Sequence, residues 1–267
     1  MSSRAPLFRR AIAESRRSLI GWTLGIAAAL FLYLPLFPSL GGTNSQMAQL
    51  IHTLPSGLVR SLGYQNISTG SGYVESTFYG LIGFVLIVIA AVNWGTAAIA
   101  GDEEAGTLEL TIAHAVTRQQ VVLERTLAVV VRLVWLAVVS VVIVLALNSS
   151  AQLHLRVDNL AATAAAWLGL GLLTATVSIA VGALTGRRVY ATSAGAGIAV
   201  LGYVVNAIGS QNDSLAGLRA FSPYGWAFRH TPLTNGVDLA GLALLFGFSA
   251  LFVVVAVVAF RRRDIRG

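Results

Sequence analysis

Residues 126–148 read TLAVVVRLVWLAVVSVVIVLALN, an aliphatic run with no acid and a single base, Arg132. A helix needs about 20 residues at roughly 1.5 Å rise to cross a hydrocarbon core about 30 Å thick, so this stretch is long enough to span a membrane. Scanning outward for apolar runs without interior acids gives five more windows, 18–37, 78–100, 159–184, 191–209 and 239–260. The six windows take half of the 267 residues, and no loop between them has room for a large soluble catalytic domain. Composition agrees: 56% of residues are hydrophobic and 11% charged, against about 25% charged in an average soluble chain. The fold class is all-α, a polytopic membrane protein with six transmembrane helices, and residues 1–267 read as a single transmembrane domain.

All 18 basic residues are arginine; lysine is absent. A phosphate loop of the G-x-x-x-x-G-K-[ST] kind needs its lysine, so the chain is not an ATPase by itself. Cysteine is absent too, which removes disulfides, thiolate metal sites and cysteine nucleophiles. A net charge of +7 would suit a nucleic-acid binder, but the arginines flank the apolar spans instead of forming a long solvated stripe. Membrane lipid is the expected partner, and nucleic acid is not.

Arginines 4, 9, 10, 16 and 17 precede the first window, and Arg118, Arg125 and Arg132 surround the second-to-third connection. Arg187 and Arg188 lie between windows four and five, and Arg261, Arg262, Arg263 and Arg266 follow the sixth. These fall on one side, with Arg60, Arg156, Arg219 and Arg229 on the other. The positive-inside rule places both termini in the cytoplasm, N-in and C-in, as six crossings require. The basic-then-apolar N-terminus has no clear small-x-small cleavage site and ends in Pro35-Leu36-Phe37-Pro38, so it reads as a retained first span. Before it, Leu7, Phe8, Ala11, Ile12, Ser15 and Leu19 share one helical face, with Arg9, Arg10, Arg16 and Arg17 opposite. That pattern predicts an amphipathic helix lying in the headgroup plane.

On the other side, Met47, Leu50, Ile51 and Leu54 keep helical spacing up to Pro55, and Gly70-Ser71-Gly72 reads as a flexible hinge. Phe221, Tyr224 and Trp226 read as an aromatic belt. The six windows hold no Asp, Glu, Lys or His, which disfavours proton-relay chemistry, and Arg132 reads as an anchor that snorkels to the headgroups. Gly21-x-x-x-Gly25, Gly182-x-x-x-Gly186 and Ala191-x-x-x-Gly195 permit close helix approach. Such mildly polar walls suit an amphiphilic or apolar substrate better than an ion.

The connection after window two carries most information. Asp102 reads as an N-cap with Glu103 and Glu104 in the first turn, opening a short cytoplasmic helix. Ala105, Leu108, Ile112 and Val116 fall on one stripe with Glu109 embedded in it. Thr117 with Gln120 three residues on is a capping box that starts a new helix at Arg118. Lipid alone would not favour a glutamate in an apolar stripe; a protein groove with a donor would.

The run Glu103-Glu104-x-Gly106-Thr107-Leu108-Glu109-Leu110, followed by His114-x-Val116-Thr117-Arg118, resembles the cytoplasmic signature of the ABC type-2 permease family, the membrane subunits of many bacterial ATP-binding-cassette exporters. Leu54-Pro55-x-Gly57-Leu58, Ser222-Pro223-Tyr224-Gly225-Trp226 and Pro232-Leu233-x-Asn235-Gly236-x-Asp238 follow in the same order, so the resemblance covers nearly the whole chain. It implies a permease domain in the bacterial cytoplasmic membrane, paired with a second copy or homologue and with separate ATPase subunits that hold ATP and Mg2+. The chain itself would hold no cofactor. It further implies that Glu103, Glu104, Thr107, Leu108, Glu109, Ile112, Thr117 and Arg118 form or brace a coupling helix against the ATPase. Spans two and five would line the substrate path, with Asn93, Thr192, Ser193 and Asn206 as its candidate polar lining, for export of drug-, antibiotic- or lipid-like compounds.

Two other readings compete. Gradient-driven efflux would need intramembrane acids. A lipid-acting enzyme would use His154 with Asp158, or His230 with Asp238, spacings that match no metal signature.

Overall fold

The computed structural model describes residues 6–40, 53–55, 57, 59, 66–106 and 117–263. Regular structure among these residues is entirely helical, and six helices are long and apolar enough to cross a membrane: Arg16–Ser39, Gly70–Glu104, Arg118–Asn148, Val157–Thr185, Arg188–Gly209 and Leu239–Arg262. They are spans one to six below.

Their ends follow from local chemistry. Span one breaks into a 3-10 turn at Leu34–Leu36, where Pro35 removes a backbone donor. Thr69, Thr117 and Asp238 cap spans two, three and six, their side-chain oxygens accepting from Gly72 N at 3.1 Å, Gln120 N at 3.2 Å and Gly241 N at 3.0 Å. Span four stops at Gly186, which adopts φ +68° and returns its N–H to the Gly182 carbonyl at 2.8 Å.

Span two differs most from expectation. Its helix begins at Gly70, not residue 78, so Gly70-Ser71-Gly72 is its first turn and not a hinge. The span therefore contains an acid, Glu75, which is buried and accepts the Leu233 N–H at 2.8 Å. A window rule that treats every acid as a boundary misses a carboxylate held by a backbone donor. At the other end Asp102 opens no new helix. Asp102–Glu104 continues span two without a side-chain cap, and the helix ends at Glu104, two residues before Gly106, which lies in the left-handed region at φ +68°.

Span two also carries two π-helical stretches, Glu75–Ile82 and Ala97–Gly101. In and beside them, carbonyls take donors from elsewhere: Gly80 O from Tyr224 Oη at 2.8 Å, Ala98 O from Arg125 Nη1 at 2.8 Å and Gly101 O from Arg188 Nη2 at 3.3 Å. Tyr224 thus belongs to the bundle, packed edge-on to Phe84 and Tyr203, while Trp226 stacks on Phe248. The belt reading fails for Tyr224, whose phenol and ring find partners within the bundle; Trp226 is half-buried beside the partly exposed Phe248, and Phe221 is exposed.

Span four is the hub, packed against spans six, two, five and three, and it is small-residue-rich on every side. Helix contact in lipid depends on such close backbone approach. A Cβ at Gly95 would lie 2.6 Å from the Ala175 carbonyl oxygen, and one at Gly195 would collide with Ser178 Oγ. A Cβ at Gly21 or Gly25 would instead meet nothing within 4 Å among the described residues.

Arg132 does not snorkel. It is buried, with its guanidinium 5.1 Å from the centre of the Trp94 ring and Nε on the Ala128 carbonyl at 2.9 Å. The aromatic face supplies a local partner that headgroups would otherwise provide.

Gly95→Leu is expected to cost about 1–3 kcal/mol through overpacking, seen as a lower melting temperature in detergent. Gly21→Leu should leave melting unchanged.

Candidate functional site

The N-terminal helix, the end of span two, the starts of spans three and five and the end of span six meet at one end of the bundle. The N-terminal helix, Pro6–Glu14, lies against span three with Phe8 half-buried, and the Phe8 N–H donates to Glu124 Oε2 at 3.0 Å. Gln120 holds the other oxygen of that buried carboxylate at 2.6 Å. Arg9, Arg10, Arg16 and Arg17 are exposed. Arg10 pairs with Glu14 at 2.7 Å, and that hydrogen bond raises its pKa.

The foot of span two presents three consecutive carboxylates, and each takes a different arginine. Asp102 pairs with Arg125 of span three. Glu103 pairs with Arg263, which directly follows span six; its Oε2 lies 3.1 Å from Nη1. Glu104 accepts the backbone N–H of Arg188, the first residue of span five, at 2.8 Å, with the guanidinium at 3.7 Å. Arg118, at the start of span three, donates to the Arg263 carbonyl, and Arg263 also reaches the Ala183 carbonyl of span four at 3.2 Å. A clamp of charge-assisted bonds therefore joins span two to spans three, four, five and six.

Glu103, Glu104 and Arg118 thus brace the bundle from within. Thr117 caps span three, but Gln120 reaches forward to Glu124 instead of back to Thr117, so only half of the capping box forms. Thr107, Leu108, Glu109 and Ile112 lie outside the described residues, in the segment that begins right after Gly106.

Asn93, Thr192 and Ser193 are exposed on neighbouring faces of spans two and five, where Thr96 and Thr192 hydroxyls meet at 3.3 Å. Asn93 continues an exposed stripe of span two through Leu81, Val85 and Ile89. Asn206 is set apart from them: it is buried, and its Oδ1 accepts Arg219 Nε at 3.4 Å. Burial, and then neighbouring Arg229, lower the pKa of Arg219.

At the opposite end, Asn159 of span four donates to the Leu233 and Thr234 carbonyls at 3.1 and 3.0 Å while Glu75 takes the Leu233 N–H. The short helix Pro232–Asn235 is thereby fastened to spans two and four. His154 and His230 are exposed; Asp158 pairs with Arg156, and Asp238 caps span six. Among the described residues no cluster of three or more metal-ligating side chains occurs.

Sequence reasoning missed Glu75, Glu124, Arg125 and Arg263 as bracing groups. For Glu124 the signal was present, an acid four residues after Gln120 facing the predicted in-plane helix. Nothing local pointed from Glu103 to Arg263, 160 positions away.

These features define a multi-pass helical membrane protein with a charge clamp at the foot of span two. Residues 5–265 match the family profile described as ABC-2 family transporter protein. The chain belongs to that family, whose members are permease subunits of ATP-binding-cassette transport systems. No curated protein matches the sequence.

A double-mutant cycle on Glu103→Gln and Arg263→Gln should give a coupling on the order of 1 kcal/mol, because the pair is only partly shielded. Detergent melting of the single and double variants measures it, and additive losses would disprove the pairing.

Proposed function

We propose that this protein is the non-catalytic transmembrane subunit of an ATP-driven exporter in a bacterial cytoplasmic membrane. Residues 1–267 act as one permease domain, N-in and C-in, working as a dimer with a second copy or homologue. Separate ATPase subunits bind ATP and Mg2+ and engage the segment around Glu109. The cargo is hydrophobic or amphiphilic, drug-, antibiotic- or lipid-like, and moves outward beside the faces of spans two and five that carry Asn93, Thr192 and Ser193.

The supporting observation is the clamp at the foot of span two. A force applied at residues 107–116 enters the bundle at Asp102, Glu103 and Glu104, and each of these carboxylates is tied to a different helix. Such an arrangement passes a displacement to several spans at once. Family membership supports the need for a companion ATPase, and the absence of lysine supports the same division of labour.

Gradient-driven efflux gains one point, since Glu75 puts an acid inside a span. Its carboxylate is held by the Leu233 backbone, a structural use that needs no proton cycle. Transport by the purified chain in vesicles with a proton gradient and no ATP would favour that mechanism instead.

Glu109→Arg should lower transport-coupled ATPase activity of the reconstituted complex about tenfold while membrane insertion stays normal. Unchanged coupled activity would remove Glu109 from the ATPase contact.

A further inference from the structure

Span six and the end of span four border a shallow, open groove of about 480 Å³, lined by Leu184, Val254, Val255, Val258, Ala259 and Arg262. Its size falls within the range of about 300–1,000 Å³ common for small-molecule sites. Val254, Val258 and Arg262 follow one another at four-residue steps, so one helical face carries aliphatic branches over about 12 Å and ends in a guanidinium. That length is shorter than half of a hydrocarbon core about 30 Å thick, which confines the groove to a single leaflet, on the arginine-rich side. Leu184, Val254 and Val258 are 52%, 58% and 40% exposed, so the rest of the described chain leaves these walls open.

The mouth is chemically distinct from the walls. Arg263 borders the groove, but its guanidinium is committed to Glu103 and the Ala183 carbonyl. Arg262 is exposed and has no acidic partner among the described residues. With Arg261 beside it, the mouth holds positive charge at the level of lipid phosphates.

We propose that this groove binds one anionic phospholipid of the cytoplasmic leaflet, with an acyl chain along Val254, Val255 and Val258 and the phosphate on Arg262. An aliphatic trough alone would accept any lipid tail. The planar guanidinium fork at its end matches phosphate oxygens, and the surrounding positive charge disfavours headgroups that carry an amine or ammonium. A second copy of this chain fits the same place poorly, because a two-fold contact centred there would bring the two arginine clusters together at one membrane depth. None of the observations behind the groove rests on the proposed ATPase contact, so either assignment can fail without the other.

Native mass spectrometry of the purified full-length chain, incubated with phosphatidylglycerol or phosphatidylcholine of the same acyl chains, tests the proposal. The wild type should retain one phosphatidylglycerol about tenfold more strongly than phosphatidylcholine. Arg262→Gln should reduce that preference to within about twofold, and Arg262→Lys should keep part of it. Val258→Trp, which fills the groove, should lower retention of both lipids; if that variant does not fold, the Arg262 pair still decides. A photo-cross-linker at Val254 should capture phosphatidylglycerol. Equal retention of the two lipids by the wild type, an intact preference in Arg262→Gln, or capture of a second copy from Val254 would overturn the site.

Discussion

Backbone groups inside a bilayer have no water to bond, and every departure from helical regularity must find another partner. Span two departs twice, and side chains from other helices meet both departures. Tyr224 takes a carbonyl in the first π-helical stretch, and Arg125 and Arg188 take carbonyls in the second. These bonds tie the segment around residue 224 and the starts of spans three and five to span two. The same logic places Glu75, whose burial is tolerated because the first peptide N–H groups of a short helix need an acceptor.

The two ends of the bundle use polar chemistry differently. At the arginine-rich end, beside the buried Glu124, long flexible side chains form ion pairs between different helices. At the other end, amide and carboxylate groups of Asn159 and Glu75 bind backbone directly and fasten a short helix in place. Ion pairs that are partly exposed can exchange partners at modest cost, whereas buried backbone contacts are expensive to leave unmade. The end that would receive force from a partner is therefore built from the more adaptable contacts.

The six spans were legible in the sequence because hydropathy over about 20 residues is a strong signal. The Thr117 cap and the amphipathic face of the N-terminal helix were legible for a similar reason, since both depend on residues within one or two turns. What escaped notice depends on distance. Glu103 meets Arg263, Glu75 meets Leu233 and Arg132 meets Trp94, and no local pattern joins such partners. Glu75 was misplaced for a second reason: the windows barred interior acids, although one carboxylate with a backbone donor can be buried. Gly21 and Gly25 show the converse, small-residue spacing where an added Cβ would touch nothing among the described residues.

Span two runs for 35 residues, a rod of roughly 50 Å at α-helical rise. The rod outruns a hydrocarbon core of about 30 Å by several turns, so it must lean or project. A leaning rod answers to the thickness of its surroundings: a thinner bilayer favours more lean and a thicker one less. Because the foot of this rod carries Asp102, Glu103 and Glu104, its lean moves the arginines of the neighbouring helices with it, and lipid composition becomes a mechanical load on the same joint.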